Sequence, residues 1–207
     1  GALHDAGVSI WLDTLSRDLL DSGEFTRLIA ECSVTGATSN PSIFETAITG
    51  SASYDGQLRD LLEGPARDAR ELFLELALAD VRQAADLLRP VYDKTNGADG
   101  FISFECTPDL ADDTNATVVQ ARELWRSIDR PNAMIKVPAT AAGIEAIGTL
   151  TAGGINVNVT LLFAVDRYPP VLDASQAGLA PRVRHGWPRR ADAPVVPSFS
   201  ARGGRAS

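Results

Sequence analysis

Lysine is nearly absent from this chain of 207 residues, which carries seventeen arginines but only Lys94 and Lys136. Arginine serves as the general surface cation, so a retained lysine points to work that a guanidinium, which does not deprotonate, cannot do. Cysteine is as scarce. Cys32 and Cys106 lack paired spacing, which excludes a short-range metal signature and a disulfide framework and fits a reducing, cytoplasmic setting. No window reaches the ~18 uninterrupted apolar residues of a membrane span. The N-terminus shows no basic segment followed by an apolar core, so neither anchoring nor export is expected. A formal net charge of −8 and a pI near 4.7 argue against a nucleic-acid footprint or a polybasic membrane patch. No strand runs into G-x-G-x-x-G, and Gly153-Gly154 is too short to act as a dinucleotide loop.

What is present centres on Asn132-Ala133-Met134-Ile135-Lys136-Val137-Pro138-Ala139-Thr140, an apolar run with the character of a buried parallel strand. Lys136 sits inside it. An amine withdrawn from water gives up its proton more readily, and a neutral amine attacks a carbonyl to form a Schiff base. A strand-end lysine snorkelling to water is the alternative.

Four further segments repeat the pattern. Val8-Ser9-Ile10-Trp11-Leu12-Asp13 is a strand ending on an acid, with Ser16 placed to cap the helix that follows. Asp13 suits either a capping carboxylate or an acid at a strand mouth. Gly36-Ala37-Thr38-Ser39-Asn40-Pro41-Ser42-Ile43-Phe44 reads as a second strand whose polar edge meets a proline suited to the first helical position. Asn40 fits a helix cap or, through its amide, a substrate hydroxyl. Helical spacing runs from Tyr54 to Leu88, broken at Gly64-Pro65, and Lys94 lies beyond it in a polar turn. A third strand, Asp99 to Cys106, carries Glu105 at its end. A helix closing at Pro131 leads to the lysine strand, and after a helix from Ile144 to Leu150 comes a fifth strand, Asn156 to Phe163. There Asn158 and Thr160, two residues apart, share one face.

Strands alternating with helices predict an α/β fold with parallel strands in one sizeable core. Five polar strand ends point to a parallel (β/α) barrel, in which chemistry collects at the C-terminal ends of strands. A doubly wound open sheet is the other candidate.

Trp11-Leu12-Asp13, Thr38 to Phe44, Phe104-Glu105, Ile135 to Thr140 and Asn156 to Phe163, taken in that order, resemble transaldolase, most closely the bacterial branch with a helical insertion after the second strand. The resemblance implies a barrel of the class I aldolase/transaldolase type, of which about five strands are recognisable. It implies Schiff-base transfer of a dihydroxyacetone unit from a ketose phosphate to an aldose phosphate in the non-oxidative pentose phosphate pathway. It implies sugar-phosphate substrates and neither cofactor nor metal. By the same resemblance Lys136 is the Schiff-base lysine, and Glu105 with Thr160 holds the catalytic water. Asp13 works on the donor hydroxyl during carbon–carbon cleavage. Asn40, Asn158 and Thr38 contact the dihydroxyacetone moiety.

The resemblance covers residues 3 to 168, and composition changes there. Residues 169–207 hold six prolines and six arginines against two acids. This predicts a partial barrel over 1–168 and an irregular or frame-shifted Pro/Arg-rich tail over 169–207, with the later strands and their phosphate-gripping serine and arginine absent. A catalytically inactive fragment, or a lysine-dependent sugar-phosphate aldolase of the same superfamily, are the alternative functions.

Overall fold

The computed structural model describes residues 6–162, 165–184 and 198–199. Two compact units divide the chain, Gly1–Phe104 with Ser127–Ala133, and Glu105–Arg126 with Met134–Ser207.

In the first unit the strands β1 (Ile10–Leu12), β2 (Val34–Ser39) and β3 (Phe101–Glu105, whose last residue falls in the second unit) pair in parallel and in sequence order. The register sets Trp11 against Gly36, and Thr38 against Ser103. Gly36 has no side chain for a steric reason. A Cβ there would enter the Trp11 indole, so glycine lets the ring lie across the neighbouring strand. Ser16 caps α1 (Arg17–Asp21) by accepting from the Leu19 N–H at 3.2 Å, as its position in the sequence predicts. After α2 (Glu24–Cys32) and β2, Pro41 opens α3 (Pro41–Gly50). The helix thus opens at the proline, as its position in the sequence predicts, because the ring fixes φ for the first helical turn.

The helical insertion resolves into α4 (Asp55–Glu63) and α5 (Ala69–Lys94), separated around Gly64-Pro65 as expected. Asp68 and Glu71 form a reciprocal capping box at the start of α5. This helix runs past the expected Leu88, so Lys94 is its last residue rather than part of a turn, and it remains exposed. Asp80, fully buried on α5, accepts from Arg17 Nε at 2.8 Å and from the Tyr54 hydroxyl at 2.7 Å. Tyr54 in turn accepts from the Arg17 backbone N–H at 2.9 Å, closing a ring of contacts. Phe44 and Phe104, both buried, meet edge to face at 5.7 Å.

In the second unit β4 (Ala133–Pro138, whose first residue falls in the first unit) pairs in parallel with β5 (Val157–Thr160), and β5 with β6 (Ser198–Phe199). The buried residues Ile135, Val137, Val157 and Val159 alternate with the polar face of these strands. Thr140 caps α7 (Ala141–Ala152), accepting from Gly143 N–H at 2.9 Å. α6 (Thr114–Ile128) starts where Asp113 accepts from Ala116 N–H at 2.9 Å.

Regular structure continues past the boundary expected at residue 168. Tyr168–Arg184 form one helix, α8, which buries Val171, Ser175 and Gly178. Pro169 and Pro170 fall in its first turn, where a missing N–H costs nothing. Gly178 packs against the carbonyl of Gly148 on α7, an approach that a Cβ would block. The short β6 likewise stands where no strand is expected. The rest of the expected tail, residues 185–197 and 200–207, lies outside the described residues. Parallel strands alternating with helices place both units in the α/β class read from the sequence.

Candidate active site

Four of the seven residues singled out from the sequence fall in the second unit, and strand geometry gathers them. Lys136 sits in the middle of β4 with its side chain 8% exposed. Its Nζ lies 3.5 Å from Oε2 of Glu105, the last residue of β3. The backbone ties the two segments as well, for the Cys106 N–H donates to the Lys136 carbonyl at 3.3 Å. Register aligns Lys136 with Asn158 and Pro138 with Thr160, so Asn158 and Thr160 share the lysine's face. Thr160 Oγ1 is buried and makes no hydrogen bond among the described residues. A buried hydroxyl without a partner is costly, and a water or ligand oxygen would satisfy it.

Burial here is selective. It pushes the Cys106 thiol up to about 12, with the neighbouring Glu105 charge adding to the effect. The thiol is thus kept neutral directly beside the carboxylate and is a poor nucleophile. Leu161, immediately after Thr160, holds a left-handed backbone with φ of 59°, an uncommon conformation for leucine at the mouth of a site strand.

The other three residues fall in the first unit. Thr38 is buried on β2, and its Oγ1 also lacks a hydrogen-bond partner among the described residues. Asn40 follows β2 directly and is a helix cap, its Oδ1 accepting from Ile43 N–H at 3.0 Å. Asp13 stands exposed just past β1. Among the described residues no group of three or more His, Cys, Asp or Glu side chains could hold a metal ion, and no helix is long and apolar enough to cross a membrane.

Sequence reasoning passes over Gln120, Asp80 and Ser103. Ser103 is fully buried and shares the face of Thr38 and Glu105 on β3. A usable signal exists for Asp80, the one acid in the apolar stretch Leu76-Ala77-Leu78-Ala79-Asp80-Val81.

Residues 10–198 match the transaldolase/fructose-6-phosphate aldolase family. A transaldolase of Thermobifida fusca is 52% identical over 178 residues, covering 86% of this chain and 48% of that protein. One of Saccharopolyspora erythraea is 46% identical over 201 residues, 97% of this chain and 54% of its own length. One of Streptomyces avermitilis is 52% identical over 178 residues, with 86% and 47% covered. The chain spans about half the length of the curated relatives it matches.

Proposed function

The chain belongs to the transaldolase/fructose-6-phosphate aldolase family, and from that premise we propose that Lys136 is the Schiff-base nucleophile of a transaldolase. The observation that carries this reading is the amine of a strand-buried lysine 3.5 Å from a carboxylate, on a face shared with Asn158 and Thr160.

In its neutral form the Lys136 amine adds to the keto carbon of a ketose phosphate such as sedoheptulose 7-phosphate or fructose 6-phosphate. Glu105, with a water held between it and Thr160, gives the proton that lets the carbinolamine lose water to the imine. Asp13 accepts the proton of the C4 hydroxyl as the C3–C4 bond breaks. The bonding electrons pass into the imine, which becomes an enamine, and the aldose phosphate departs. The enamine then attacks the aldehyde of an acceptor aldose phosphate by the same steps in reverse, and water releases the product. Asn158, Thr38 and the Asn40 amide nitrogen, left over once Oδ1 caps α3, hold the hydroxyls of the three-carbon unit. The reading places the enzyme in the non-oxidative pentose phosphate pathway of the cytoplasm, on the family resemblance.

Product analysis separates transfer from simple aldol cleavage. With fructose 6-phosphate and an aldose phosphate acceptor, the expected outcome is a new ketose phosphate in proportion to acceptor, abolished in Lys136→Ala. Free dihydroxyacetone at the same rate with or without acceptor would overturn transaldolase in favour of a lysine-dependent aldolase.

A further inference from the structure

The chain leaving β3 is held by side chains that the proposed chemistry does not use. Gln120, 8% exposed on α6, accepts through Oε1 from the Thr107 N–H at 2.8 Å and from the Thr107 hydroxyl at 3.2 Å. Its Nε2 donates to the same hydroxyl oxygen at 3.0 Å. Further along, the Thr117 hydroxyl donates to the Leu110 carbonyl at 2.8 Å, and the Thr140 hydroxyl to the Ala111 carbonyl at 2.5 Å. Of these grips Gln120 acts nearest the chemistry, two residues beyond Glu105.

Its surroundings make the amide conspicuous. Val118, Ala121 and Leu124 on the same helix are buried and apolar, so a leucine would suit the position if filling space were all it required. Burying a glutamine sacrifices its rotamer freedom and obliges both amide atoms to find partners. Here they converge on one residue. Proton transfer works only within hydrogen-bond reach or through one water, so a small displacement of Glu105 decides whether it serves the amine.

We propose that Gln120 is a positioning residue for the Lys136–Glu105 pair: by gripping Thr107 through both ends of its amide, it fixes where the Glu105 carboxylate stands beside the amine. Its catalytic meaning rests on the reading of that pair given above, whereas its positional content rests on the geometry alone.

The two lysines provide a readout independent of any sugar. Trace acetylation of the full chain, followed by peptide mass spectrometry, gives the Lys136-to-Lys94 labelling ratio, with exposed Lys94 as internal reference. A carboxylate held 3.5 Å from the Lys136 amine engages it and shields it from the reagent, so Gln120→Leu is expected to raise the ratio by about three- to tenfold. Gln120→Glu, which keeps acceptors for both Thr107 donors but loses the Nε2 donor, is expected to raise the ratio less than Gln120→Leu. In a Glu105→Gln background, Gln120→Leu is expected to add nothing, because the charge it displaces is gone. Should Gln120→Leu fail to fold, Thr107→Val, which deletes only the hydroxyl contacts, is expected to raise the ratio by about twofold. An unchanged ratio in whichever variant folds, or an equal rise with Glu105→Gln already in place, would overturn the proposal. Borohydride trapping of fructose 6-phosphate runs in parallel. A changed ratio without trapping on wild-type Lys136 overturns the catalytic reading and supports Gln120 as positioner. Trapping with an unchanged ratio does the reverse.

Discussion

Cys106 and Glu105 are neighbours in sequence yet meet their surroundings in opposite ways, one thiol sealed in the core and one carboxylate a quarter exposed beside an amine. The thiol held at about 12 predicts its own pH effect. Its ordinary value is near 9, so the unfolded chain ionises first, and stability is intact below pH 9 and falls as pH rises toward 12. Cys106→Ala should flatten that alkaline loss by about 1 kcal/mol per pH unit, read from urea midpoints between pH 9 and 11. Alkylation at neutral pH should modify exposed Cys32 alone; equal labelling of both cysteines would mean that Cys106 is not buried as described. On the proposed mechanism the acids Asp13 and Glu105 divide a different labour. Asp13→Ala should slow carbon–carbon cleavage and Glu105→Ala imine formation, each by about 10²–10⁴ in single turnovers. Equal defects in both steps for both variants would contradict that division. Lys136 was legible because a lysine inside an apolar strand conflicts with its setting. Asn40 was half legible, since capping and substrate binding call for the same residue, and here the cap is visible. Gln120 was not legible, because an amide on a helix gives no hint in sequence that its partner is Thr107.

At the scale of elements, strands and helices followed from apolar spacing and caps, while ends depended on contacts that spacing does not encode. Gly143 is one such contact. A Cβ there would strike the Pro138 carbonyl oxygen, so the turn from β4 into α7 is possible only because the helix backbone meets the strand end directly. Gly143→Ala should destabilise by about 1–3 kcal/mol in denaturant titration, since backbone rather than a flexible side chain must move. A second case is the Arg17, Asp80 and Tyr54 ring that joins α1 to α5. Burial pushes the Asp80 carboxyl up, against the hydrogen bonds from Tyr54 and Arg17. A carboxyl raised in this way contributes stability at acid pH that is lost as pH rises through its folded value, so Asp80 does not drive acid unfolding. Asp80→Ala should cost about 3–5 kcal/mol, because it strands a largely buried guanidinium. Tyr54→Phe should cost about 1–3 kcal/mol. A smaller loss for Asp80→Ala than for Tyr54→Phe would show the ring to be peripheral. Helix α8 was misread because Pro169, Pro170 and Pro181 count against a helix in composition. Two of them occupy its first turn, and the small residues Ser175 and Gly178 let it pack closely.

For the molecule as a whole, strand-end residues carried the family, because five polar positions in fixed order are rarer than any one of them. Membership follows from a match over residues 10–198. The change of composition at residue 168 is real, but it does not coincide with a change of fold, since α8 and β6 lie beyond it. Charge composition reports on surface and solubility, whereas packing follows the apolar and small residues that α8 retains. The same composition leaves two lysines, which makes the central claim unusually direct to test. The full chain is incubated with fructose 6-phosphate, reduced with borohydride and digested, and each lysine peptide is weighed. A reduced sugar or dihydroxyacetone adduct on Lys136, absent from Lys94 and lost in Lys136→Ala, is the predicted result. An adduct on Lys94, or none on Lys136 in a chain that melts cooperatively, would contradict the assignment of Lys136 as the nucleophile.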